Sequence, residues 1–185
     1  MRSVAIRAHP LVFGTVVFLA SESMLFAALL AAYYYLRGAT APWPPAGAEI
    51  DTAGMAVGTA LLGLGSVTMI VAQMAAMRRG RALARLMLAV TIAAALGFLG
   101  LELGDWRSAN FRIADSAYGT MYYVLTGTHF VHVVAGAILL AAVAIFLRKP
   151  AFTREQHAGV EAVAYYWHFV FVVWLALYAT IFLVK

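Results

Sequence analysis

An all-α, polytopic membrane bundle of five helices is the fold that this sequence predicts, and three observations lead to it. Hydrophobic residues fill 64% of the 185 positions and charged residues only 11%, where a soluble domain carries about 25% charge. The apolar residues gather in five long runs, each near the roughly 20 residues that a helix needs to cross a hydrocarbon core. The chain also contains no cysteine. So few charges could not clothe a soluble globule. That excludes a soluble enzyme, a disordered chain and a free nucleic-acid binder, despite a net charge of +5. The missing thiols exclude a disulfide scaffold, a thiolate zinc site, a Cys-ligated iron–sulfur cluster and a Cys nucleophile. A membrane β-barrel would show short alternating segments rather than continuous apolar runs.

The first span, residues 11–36, is too long for a signal-peptide core and lacks a convincing small-residue cleavage site behind it, so it is expected to be retained. Glu22 lies near its middle. The second span, 54–77, sets Gly54, Gly58, Leu61, Gly65, Thr68 and Ala72 in one stripe at steps of four and three. Small residues let membrane helices approach closely, so Gly54, Gly58 and Gly65 are read as packing positions. The third span, 83–103, reads the same way through Gly97, Gly100 and Gly104. At its outer end, Glu102, Asp105 and Trp106 read as hydrated interfacial anchors.

The fourth span, 118–147, aligns Tyr118, Tyr122, Leu125, His129, His132 and Gly136 on one face. The fifth, 158–184, aligns Glu161, Tyr165, His168 and Val172. Stripes of this polarity should face the bundle or another subunit, because lipid penalises them. All connections are short, so a single transmembrane domain over 1–185 is expected, with any chemistry in the bilayer or on partners.

The charges orient the chain. Arg2, Arg7, Arg78, Arg79, Arg81, Arg85, Arg148, Lys149 and Arg154 collect on one side, against Arg37, Arg107, Arg112 and Lys185 on the other. Cytoplasmic loops carry the excess of Lys and Arg, which predicts a cytoplasmic N-terminus and a periplasmic or extracellular C-terminus. The outer loops carry Trp43 and a Pro-rich turn (Pro42, Pro44, Pro45), as interfacial anchoring would require. The basic balance is therefore a topology signal.

The intramembrane polar residues Glu22, His129, His132, Glu161 and His168 are the candidates for function. A charged group at the bilayer centre costs about 2.5–3.5 kcal/mol on insertion scales, so such residues pair or work. Glu22 has two readings, a proton-carrying carboxyl and a neutral hydrogen-bonding lock. His129 and His132 lie three apart and read best as neutral imidazoles bonding across helices, since a di-iron site would want paired Glu-x-x-His units. His168 opposite either one would suit axial heme ligation, so a b-type cytochrome stands as a rival. No metal or cofactor site is assigned to this chain.

Three segments resemble subunit III of the heme–copper respiratory oxidases. The run FLASESMLFAALLAAYY at 18–34 is similar to that family's Glu-containing helix. YGTMYYVLTGTHFVHVVAGAILL at 118–140 resembles its Thr-Gly-x-His-x-x-His helix, and EAVAYYWHFVFVVWLALY at 161–178 resembles its closing Tyr-Trp-His-Phe-Val helix. Phe98–Trp106 fits the segment between them. The resemblance implies a helical subunit in direct contact with catalytic subunit I and other oxidase subunits. It implies no heme or copper of its own, those groups belonging to partner subunits of a complex that reduces oxygen to water and pumps protons.

It implies further that the chain supports subunit I stability and proton uptake, touches membrane lipids including phospholipid, and sits in a bacterial cytoplasmic membrane. Glu22 would match the family's intramembrane carboxyl, and His129, His132, Glu161 and His168 its polar positions. The largest members have seven helices, with a lipid cleft between the first two and the other five, so this chain would begin at the third: either subunit I or another chain supplies the missing pair, or the cleft is absent. Phe171 stands where the family commonly has Asp, Glu102 where it has Gln, and Asp105-Trp106 where it has Glu-Tyr. The alternatives are an accessory subunit of a nitric oxide reductase and a stand-alone transporter. Weak internal symmetry, an odd helix count and unbroken helices argue against the transporter.

Overall fold

The structure, a computed structural model, describes residues 9–78, 80–147 and 154–184, and the side chains of all of these except 154–156. Five helices make up nearly all of it: α1 (Pro10–Ala39), α2 (Thr52–Met77), α3 (Arg81–Ser108), α4 (Ala117–Phe146) and α5 (Arg154–Tyr178). A π-helical turn, Ala179–Leu183, continues α5. All five are long and apolar enough to cross a membrane. No strand occurs among the described residues. Of the residues used to orient the chain, Arg2, Arg7, Arg79, Arg148, Lys149, Lys185 and the side chain of Arg154 lie outside the described set.

Local chemistry fixes the helix starts. Pro10 opens α1, where its missing N–H costs nothing, and the His9 ring accepts a hydrogen bond from the Leu11 amide at 3.3 Å. Asp51 caps α2 through the Gly54 amide at 2.8 Å, and Ser116 caps α4 through Gly119 at 3.0 Å. Each cap satisfies an amide that the helix itself leaves without a partner.

α5 is central, touching α1, α2 and α4, while α3 closes the bundle between α2 and α4. Trp167 and Trp174 of α5 are fully buried. Glycine makes room for them. A Cβ on Gly65 (α2) would lie 3.1 Å from Trp167 Cζ2, and one on Gly136 (α4) 3.1 Å from its Cε3. A Cβ on Gly58 would meet the Phe98 ring of α3 at 3.1 Å. Gly54 differs from the expected stripe, because the atoms nearest to it are those of its own cap, Asp51. Gly100 and Gly104 differ too: nothing lies within 4 Å of a Cβ built there, so α3 turns them outward.

Hydrogen bonds between helices supplement this packing. The Thr68 and Thr91 hydroxyls meet at 2.7 Å between α2 and α3, and the Trp174 indole N–H donates to Thr59 Oγ1 at 2.8 Å. Such bonds in membrane bundles average about 0.6 kcal/mol and reach about 1.7.

α1 lies on the rim, burying only Val12, Phe26 and Tyr33. Its far end is tied to the end of the chain. The Tyr34 and Thr180 hydroxyls meet at 3.1 Å, and the Arg37 guanidinium donates to the Val184 carbonyl at 2.8 Å.

The end of α3 corrects the expected boundary. The helix runs on to Ser108, and Glu102 and Asp105 are buried at 1% and 3% exposure instead of hydrated. Asp105 accepts from the Asp51 amide at 2.9 Å and from the Tyr122 hydroxyl. Trp106 turns inward to donate to Thr126 at 3.1 Å, and Trp43 packs edge-on to Tyr33 and Tyr118. The residues read as interfacial anchors are thus bundle contacts: Asp105 and Trp106 take from the bundle the polar partners that water would otherwise provide, while Glu102 is buried without one among the described residues.

Candidate functional site

Glu22 projects from the middle of α1 and meets His132 of α4, Oε2 to Nε2, at 3.0 Å. His132 Nδ1 lies 2.8 Å from the Thr128 carbonyl. A carbonyl only accepts, so Nδ1 carries the hydrogen. The lone pair of a neutral imidazole would then point from Nε2 at the carboxylate, lone pair against lone pair. One proton between Oε2 and Nε2 removes that conflict, whether it is written on the carboxyl or on the ring. The pair is therefore a holder of one proton by its geometry.

The surroundings fix the ring. Tyr166 of α5 donates to the His132 carbonyl at 3.0 Å, and Phe26 packs edge-on against the imidazole with centroids 5.0 Å apart. Both side chains keep some exposure, 19% for Glu22 and 14% for His132. Next to them, Phe18 stacks on Tyr166 and borders an apolar cleft of about 460 Å³. The cleft runs between α1, α4 and α5, with Leu11, Leu139, Phe146 and Ala162 among its walls.

The other candidates lie apart from this pair. His129 is fully buried, with Nε2 3.2 Å from the Val170 carbonyl of α5 and its ring between Trp174 and Phe98. Its Nδ1 is buried without a hydrogen-bond partner among the described residues, as are both Glu102 oxygens. His168 Nδ1 meets Ser66 Oγ of α2 at 2.6 Å, and Tyr165 donates to Glu161 at 3.2 Å. The structure brings together two of the five residues, Glu22 and His132. Ser66, Tyr166 and the Asp105–Tyr122 contact were not singled out as polar ties from the sequence. A serine or tyrosine in a span is a signal, but its partner depends on the packing.

Among the described residues no three His, Asp or Glu side chains gather as a metal site. Comparison with known proteins adds to this geometry. The family model for cytochrome c oxidase subunit III matches residues 3–184. The chain belongs to that family. Relatives named cytochrome c oxidase subunit 3 include those of Cyprinus carpio and Danio rerio, each 37% identical over 177 residues. That of Struthio camelus is 34% identical over 181 residues. In all three the match covers 92% of this chain and 68% of the relative. As a subunit III, the chain is part of a heme–copper oxidase complex, an oxidoreductase, a reading favoured over the nitric oxide reductase, b-type cytochrome and transporter alternatives.

Proposed function

We propose that this subunit III is the non-catalytic support of a proton-pumping terminal oxidase, in direct contact with catalytic subunit I, and that its Glu22–His132 pair takes part in proton uptake. Hemes and copper in neighbouring subunits supply the oxygen chemistry, and this chain holds a proton and stabilises its partner. The observation that carries the reading is the shared proton position between Glu22 Oε2 and His132 Nε2, at membrane depth and still partly accessible. The other members of the candidate set, His129, Glu161 and His168, act as hydrogen-bonding positions, and Gly58 and Gly65 as packing positions.

The excess of Arg and Lys on the side of Arg78 and Arg81 supports a cytoplasmic N-terminus, and the membrane we propose for it is a bacterial cytoplasmic one. The cleft beside Phe18 has the apolar walls and the breadth to take a phospholipid acyl chain. Glu22→Gln tests the proton role in the assembled oxidase. The amide keeps a hydrogen bond to His132 but cannot release a proton. The expected result is an intact complex with unchanged heme spectrum and slower proton uptake during turnover. Unchanged uptake would remove the proton role, and a complex that falls apart would make Glu22 a structural lock. Removing the whole subunit should spare the initial oxidase rate and shorten the working life. Immediate, complete loss of electron transfer would contradict the supporting role.

A further inference from the structure

One polar seam faces outward at membrane depth. On α5 it holds Glu161, Tyr165 and His168, and on α2 Ser66 and Gln73. Tyr165 is 43% exposed, while Glu161, His168 and Gln73 are half-buried. Near the N-terminal end of α5, Gln73, His157 and Glu161 line a small pocket of about 170 Å³. Two turns further on, His168 stands near the middle of the span His157–Leu183, where the bilayer is driest. Its partner Ser66 is likewise near the middle of α2.

The hydrogen positions there can be worked out. Among the described residues Ser66 Oγ has one hydrogen-bond partner, His168 Nδ1. The hydroxyl hydrogen finds no other acceptor among the described residues, so it goes to Nδ1, and the neutral ring then carries its own hydrogen on Nε2. Nε2 has no partner among the described residues, and it is not among the buried unbonded atoms, so it lies on the accessible surface. A donor left open at mid-membrane needs an acceptor, and hydrocarbon offers none. The Glu22–His132 pair differs, since it satisfies itself across α1 and α4.

We propose that the α2–α5 seam centred on His168 and Ser66 is the docking surface for a membrane-spanning helix of a neighbouring oxidase subunit, which offers a hydrogen-bond acceptor to His168 Nε2. The proposal rests on the reading of this chain as part of an oxidase complex. The acceptor chemistry selects a protein helix over lipid, because headgroup oxygens sit at the membrane surface and His168 does not. Phe171 lies one turn further along the same seam and shields Gly63, where a Cβ would sit 3.5 Å from its ring, so the seam becomes apolar beyond the imidazole. A docking helix would thus find one polar anchor next to an apolar flank.

The test uses the full oxidase complex carrying a photo-crosslinking benzoylphenylalanine at Tyr165. The expected product is a covalent adduct with another subunit of the complex. Adducts with lipid only, or with a second copy of this chain only, would overturn the proposal. Failure of the chain to co-purify with any heme-bearing subunit would instead sink the underlying oxidase reading. A second measurement compares His168→Leu with His168→Gln for retention of this subunit after detergent washing. Loss of one interhelical bond should release the Leu variant roughly threefold more readily, with the Gln variant close to the unaltered chain. Equal retention of all three would count against His168 as the anchor. If the Leu variant fails to insert, the crosslink at Tyr165 still decides.

Discussion

Glycines of two helices, Gly65 and Gly136, press on the Trp167 indole, and they allow a prediction whose sign depends on the background. In Gly65→Ala the new methyl would lie 3.1 Å from Trp167 Cζ2, 3.3 Å from Nε1 and 3.5 Å from Cε2. Carbon pairs rest at about 3.5–4.0 Å, so the indole or α2 must yield by several tenths of an ångström. The opposite edge of the ring abuts Gly136, which restricts retreat. Overpacking of this kind costs about 1–3 kcal/mol. Replacing a mid-helix glycine by alanine returns about 0.5–1 kcal/mol, so the net loss should be about 1 kcal/mol. A Phe ring lacks the outer atoms that the methyl meets. In a Trp167→Phe background the same Gly65→Ala change should therefore stabilise by about 0.5 kcal/mol. The assay is SDS-induced unfolding of the four purified proteins of this cycle in mild detergent, followed by helicity. Equal destabilisation in both backgrounds would refute the account, because the penalty would then have nothing to do with the indole. Adding Gly136→Ala in the Trp167 background should cost more than the sum of the single changes, since both methyls press on one ring.

Thr59→Val and Trp174→Phe each remove the same α2–α5 hydrogen bond, so each should cost about 1 kcal/mol and the pair little more than either alone; full additivity in the same SDS titration would show that the bond contributes nothing. Glu102→Met removes two buried oxygens that have no hydrogen-bond partner, and it should raise stability by about 1–3 kcal/mol. A fall in stability would mean that the carboxyl is held by a partner. Tyr122→Phe strips Asp105 of one of its two donors in a buried setting. A loss of about 1–3 kcal/mol is expected, and a neutral result in the unfolding titration would show that Asp105 finds other company.

The number and type of the helices were legible because lipid imposes a length and a composition on any span. The small residues of α2 were legible in part: Gly58 and Gly65 make room for Phe98 and Trp167, while Gly54 borders its own cap. The α3 boundary misled because Glu102, Asp105 and Trp106 look like the edge of the membrane, yet Tyr122, Thr126 and the Asp51 amide give two of them partners. His129 and His132 share a stripe, but a three-residue step rotates a helix position by about 60° from alignment. That angle sends one ring to Val170 and the other to Glu22. Which residue meets which depends on α5 lying at the centre, and no local pattern reports that.

Glu22 and its partner His132 are separated by 110 positions. At roughly 5–20 residues per second of synthesis, the carboxyl enters the membrane roughly 5–20 s before its imidazole exists. The π-turn and Val184 that hold the far end of α1 are made last of all the described residues. For that interval α1 carries a bare acid beside lipid, and its helix has nothing to close against.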